Sequence, residues 1–183
     1  MTATCPGRSE RRTRPEGPAQ PRRFVENPLE EAVRQLCAVE TDDTAAVLRA
    51  AWHGFAALTA AGDLLALRTP AHQYRAHRRA AAPLLHTAFD VLNAAPHRPG
   101  GRPPAPSGSS ATDQEFLAPE AATAVREAIL ALTLALGVIL SSAAQEAALP
   151  GDARACRQAA ALARELTECF RDPALAEHLG ANQ

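Results

Sequence analysis

The chain has no lysine: all nineteen basic residues among its 183 are arginine. That single gap removes several chemistries. A Walker A loop would lack its phosphate-binding Lys, and neither a Schiff-base Lys nor a kinase phosphate-pairing Lys can be present. Aromatic residues make up only 4%, and β-branched residues are few, so strands have little to be built from. Lys, Ile and Asn are scarce while Ala, Arg, Gly and Pro abound, the usage of a GC-rich bacterial genome. Arginine in place of lysine is therefore poor evidence of phosphate binding.

The four cysteines, Cys5, Cys37, Cys156 and Cys169, show no CxxC spacing. Arg11-Arg12 is not followed by the apolar segment an export signal needs, so a reduced, cytoplasmic setting with free thiols is expected. No GxSxG elbow, glycine-rich phosphate loop, HExxH or paired zinc-ligand motif occurs, and no Glu stands three residues before any His. A net charge of −1 gives no whole-molecule attraction to nucleic acid or anionic membrane.

What the sequence does have is alanine, 43 residues of it. Alanine is the best helix former, and with so much of it the composition predicts an all-α protein with a thin, closely spaced core. The chain is long enough for one domain with a real core. Its organising stretch is AILALTLALGVILSSAAQ, eighteen uncharged residues from Ala128 to Gln145. As a helix this spans roughly 27 Å, near the lower limit for crossing a bilayer and ample for the axis of a bundle. Ile129, Leu132, Leu136, Ile139 and Leu140 form one stripe; Leu130, Leu134 and Val138 form a second. Such a helix is expected to need partners on more than one side.

Residues 1–23 carry six Arg, two Glu and four Pro and read as a disordered arm. Residues 24–95 read as an N-terminal helical lobe. Its first helix is predicted to open at the Asn27-Pro28 cap and to bury Leu29, Val33, Leu36 and Cys37. A second restarts at Thr41 with Asp42 and Asp43, buries Val47, Leu48, Ala51, Trp52, Phe55 and Leu58, and ends at Gly62. The third runs from the Thr69-Pro70 cap to Ala95 and is expected to kink or break at Pro83. Residues 96–111, PHRPGGRPPAPSGSSA, read as a mobile linker. Residues 112–183 form the C-terminal lobe, packing with the first into one domain. It contains the central helix at about 119–149, a helix capped by Asp152, and a short final turn opened by Asp172-Pro173. The whole is an all-α bundle of five or six helices.

Candidate chemistry is sparse. His72, His77 and His86 invite a metal reading, but His72 and His77 lie about 140° apart on a helix, and solvated surface histidines are the expectation. His53 is expected to be exposed, and the cysteines to be core residues. The basic segment with His72, Arg75, His77, Arg78 and Arg79 is a candidate anion or partner-binding patch, because no acid lies between Asp63 and Asp90. The competing view makes it a solvated face paired with Glu40, Asp42 and Asp43. Thr133, Gly137 and Ser141 recur every four residues and form a candidate line of close helix packing. No catalytic, cofactor or metal site is proposed from the sequence. The leading expectation is a non-enzymatic helical interaction or accessory protein, self-associating or binding a protein partner. The runner-up is a nucleic-acid-associated regulator using the basic arm and Arg75 to Arg79. A small-ligand-binding bundle and a single-span membrane protein rank below these, the latter because of the marginal length and the interruptions at Thr133, Gly137, Ser141 and Ser142.

Overall fold

In the computed structural model, residues 21–69, 72–99 and 116–171 are described. They form five helices: α1 (Pro21–Ala38), α2 (Thr44–Arg68), α3 (His72–Asn93), α4 (Pro119–Glu146) and α5 (Pro150–Arg171). The expected arm over residues 1–20, most of the linker and the turn at Asp172-Pro173 lie outside the described residues.

The apolar helix α4 packs on α1, α2 and α5, and α3 closes the bundle against α2 and α5. One continuous buried cluster includes side chains from all five helices. Its largest members include Leu29 and Leu36 of α1, Phe55 of α2, Leu92 of α3, Ile129, Leu132, Leu136 and Leu140 of α4, and Phe170 of α5. Each fully buried Leu or Phe contributes roughly 1.5–3 kcal/mol of transfer free energy. The thin, small-residue core follows from sites such as Gly54. A Cβ there would come within 3.1 Å of Leu136 Cδ2, so glycine lets α2 approach α4 closely.

Several expected boundaries move. Helix α1 begins at Pro21 and runs through Asn27 and Pro28, so the capping pair is interior. Pro21 supplies the same preorganised first position seven residues earlier. Cys37 is exposed rather than buried. The cap of α2 is Asp43, whose carboxylate accepts from the Ala46 N–H at 2.9 Å. The Thr41 hydroxyl instead donates to Glu146 at 2.8 Å, tying the α1–α2 turn to the end of α4.

Neither expected break occurs. Helix α2 passes through Gly62 to Arg68 because Leu65 adds another buried turn and Gly62 itself lies beneath Phe170. Helix α3 passes through Pro83, which is exposed, as is Arg79 one turn earlier, so water can reach the carbonyl that loses its donor. Asp152 does not cap α5. The helix starts at Pro150, which places Asp152 inside the first turn.

Candidate interaction surface

By length and composition α4 could cross a membrane, and among the described residues it alone meets that test. Its sides differ sharply. Ile129, Leu132, Leu136 and Leu140 are fully buried, facing the core. Of the second stripe, Leu130 is partly buried, but Leu134 is 52% and Val138 67% exposed. Ala131, one turn before Leu134, is exposed as well, and exposed Glu127 and Gln145 lie towards the two ends of the helix. The spacing of Glu127, Ala131, Leu134 and Val138 alternates four and three, the pattern of a helix–helix seam. The same side continues towards the start of α4 as an open concavity of about 570 Å³, lined by Pro119, Glu120, Thr123, Ala124 and Glu127.

The line of small residues faces α5. The hydroxyls of Thr133 and Thr167 lie 2.9 Å apart across the interface, and Ser141 Oγ accepts from Arg164 Nη2 at 2.9 Å. Between them, a Cβ on Gly137 would lie 3.7 Å from Arg164 Cγ and 4.0 Å from the Ala160 carbonyl oxygen. Those are ordinary contact distances, so the line is an interface with room for a methyl group and little more.

The basic segment is divided by the fold. Arg75 and Arg79 are exposed on α3, which begins at His72. Arg78 pairs with Asp63 of α2, not with Glu40, Asp42 or Asp43. His77 is buried, contrary to the expectation that it is a solvated surface residue. Its ring stacks on Phe170 with centroids 5.7 Å apart, and its Nδ1–H donates to the Cys169 carbonyl. An aromatic neighbour and a carbonyl acceptor make an interior site suited to imidazole, and the surface patch thereby loses His77. His86 is exposed beside Asp90 at 3.6 Å, and His53 is exposed with its ring edge-on to Trp52. Among the described residues no three His, Cys, Asp or Glu side chains converge as metal ligands would.

One polar pair escapes sequence reasoning. The His97 backbone N–H donates to Asp152 Oδ1 at 3.1 Å, and His97 Nδ1 lies 2.6 Å from Asp152 Oδ2. Asp152 is only 1% exposed, whereas half of the His97 side chain is in solvent. Gly151 makes the approach possible, since a Cβ there would fall 2.7 Å from Pro96 Cγ. The first residues of the expected linker are thus clasped to the start of α5. No local signal could have paired residues 55 positions apart, and Asp152 after Pro150-Gly151 imitates a helix cap.

A histidine oriented by a buried carboxylate is also half of a general-base arrangement. Among the described residues no nucleophile is hydrogen-bonded to His97. Cys156, one turn along α5, is buried, and that burial, reinforced by the Asp152 charge and opposed by Arg157, pushes its thiol up to about 11. It is a protonated core residue at neutral pH. Burial likewise raises the Cys169 thiol, with the Glu165 charge adding to it. A second hollow, of about 230 Å³ and lined by Gly62, Ala81, Leu85, Phe89 and Phe170 among others, is smaller than the roughly 300–1,000 Å³ of typical ligand sites.

Comparisons with protein-family models, curated proteins and solved structures gave no match. Among the described residues the chain is an all-α bundle of five helices in which α4 leaves Leu134 and Val138 exposed.

Proposed function

We propose that the chain is a non-enzymatic helical interaction protein that self-associates through the outer side of α4. The observation carrying this reading is the exposure of Leu134 and Val138 in a seam-like row on a helix whose opposite side is core. Apolar residues aligned at helical spacing, rimmed by Glu127 and Gln145, have the make-up of an association surface rather than of scattered surface carbon. Sedimentation velocity of the purified chain over a wide concentration range tests it. The sedimentation coefficient should rise with concentration for the parent and stay at the monomer value for Leu134→Glu. A parent that remains monomeric throughout would contradict self-association.

A second reading, nucleic-acid association, is favoured by Arg75 and Arg79, which stand exposed four residues apart with no ion pair to the described residues. Binding would then weaken steeply with salt through counterion release. Replacing Arg75, Arg78 and Arg79 by Gln should flatten that dependence, and absence of duplex or single-strand binding at low salt would dispose of it.

A further inference from the structure

We infer that α5 does not end at Arg171: the helix continues through Pro173 and covers the first turns of α4, where the Glu177 carboxylate accepts from the Arg126 guanidinium. The occupant of that surface is the chain's own segment from Asp172 to Leu179.

Two cross-helix bonds set the direction and the register. Thr133 of α4 meets Thr167 of α5, whereas Ser141, further along α4, meets Arg164, earlier on α5. The two helices are therefore antiparallel, and a step back along α4 from Thr133 corresponds to a step forward along α5 from Thr167. Arg126 lies seven residues, or two turns, before Thr133 and so on the same side of α4. The matching step from Thr167 reaches Ala174, past Arg171 where the described part of α5 stops. From Pro119 to Arg126, α4 thus runs on without a described residue of α5 opposite it. Arg126 marks the need for one: it is half-buried, and its sealed Nε has no hydrogen-bond partner among the described residues. A desolvated cationic donor without an acceptor is costly, which makes a carboxylate the fitting partner. Helical side chains tilt towards the N-terminus of their own helix, so Arg126 reaches over the turn opposite Glu177 while Glu177 tilts back towards Ala174. Asp172, five residues after Thr167, falls on another side of the helix.

The junction already accommodates the proline. Pro173 has no N–H, so inside a helix it cannot serve the Cys169 carbonyl four residues earlier. Buried His77 donates to that carbonyl instead. Helices α1 and α3 likewise run through Pro28 and Pro83. The apolar residues of the segment agree with the same register. Leu175 lies three turns beyond Arg164 on one side of a continued α5, with Leu179 a turn further, and Thr123 lies five turns before Ser141 on one side of α4. Because Arg164 meets Ser141, the two leucines come against the open concavity that Pro119, Thr123 and Ala124 line.

Amide hydrogen exchange on the full chain tests this residue by residue. In the parent, Leu175 to Leu179 should exchange roughly tenfold or more slowly than an unstructured peptide of the same sequence. Glu177→Gln, which exchanges one side-chain oxygen for an amide and leaves the core untouched, should speed that exchange severalfold, as should Arg126→Leu. Asp172→Asn should leave it unchanged, and the charge-swapped chain carrying Arg126→Glu with Glu177→Arg should recover protection. Exchange of the parent segment at the unstructured rate would overturn the continued helix. Protection that survives both Glu177→Gln and Arg126→Leu unchanged would overturn the pairing of Arg126 with Glu177. An unprotected segment, together with a melting temperature that inorganic phosphate raises in the parent but not in Arg126→Leu, would overturn the proposal by making a free anion the partner of Arg126.

Discussion

Among the described residues Asp152 is a buried carboxylate with two bonds to one distant residue. Buried at the start of α5, it holds both the backbone N–H and the ring of His97, and thereby the chain leaving α3. Asp152→Ala would remove both acceptors and leave the segment around Pro96 with only its packing on Gly151. Amide exchange at His97 should accelerate markedly in that variant, while exchange in the middle of α4 changes little if the bundle persists. Unchanged protection at His97 would mean that packing, not the carboxylate, holds the segment. The cysteines give a second test at this scale. Because the fold raises the Cys156 thiol from 9.0 to about 11, the folded state binds a proton that the unfolded chain releases first. The associated stability is complete below about pH 9 and is lost as pH rises towards 11. Unfolding free energies measured across that window should fall, and the fall should shrink in Cys156→Ala once its own lower baseline is subtracted.

At the scale of the helix, the two glycines of α2 predict unequal responses to one substitution. A methyl group at Gly62 meets Phe170 at 3.8 Å, an ordinary contact, whereas at Gly54 it meets Leu136 at 3.1 Å with Leu36 close behind. Gly62→Ala should therefore stabilise the bundle by about 0.4–1 kcal/mol through helix propensity and reduced chain entropy. Gly54→Ala should gain less or destabilise, because Leu136 must shift within a packed core. Chemical denaturation of the two variants, with the buried Trp52 as fluorophore, separates them. On α4, Gly137→Ala should stabilise by a similar few tenths of a kcal/mol, while Gly137→Leu should cost roughly 1–3 kcal/mol by pushing against Arg164 and the Ala160 carbonyl. A Leu variant as stable as the parent would show that the α4–α5 interface is looser than its hydrogen bonds at Thr133 and Ser141 imply.

Much of this scale was legible in the sequence. The start of α4 at Pro119, its core stripe and the inward face of α2 from Val47 to Leu58 follow directly from periodicity and Pro placement. The errors share one cause, local punctuation read without its tertiary context. Gly62 and Pro83 are breakers in an isolated helix, but one lies under Phe170 and the other points outwards, so packing on both sides carries α2 and α3 through them. Of the candidate sites, only the placing of Thr133, Gly137 and Ser141 along one side of α4 follows from helical spacing alone. The burial of His77 does not, since it depends on Phe170 and Cys169, more than ninety residues away.

For the whole molecule, one asymmetry stands out: α4 is both the core of the bundle and part of its surface. The arginine-only basicity, the alanine-rich core and the clasp at His97 are consistent with that frame, but none of them specifies it. Its outer side is the face we propose for self-association, so its two sides must differ energetically in the isolated chain. The most direct measurement is the denaturant unfolding free energy of Leu134→Ala and Leu136→Ala, followed by Trp52 fluorescence at a concentration where the chain is monomeric. The two positions share one helix and lose the same atoms, but Leu134 is 52% exposed and Leu136 fully buried between α4 and the core. Leu136→Ala should cost about 2–5 kcal/mol and Leu134→Ala under about 1 kcal/mol. Equal costs at the two positions, or a larger one at Leu134, would contradict it.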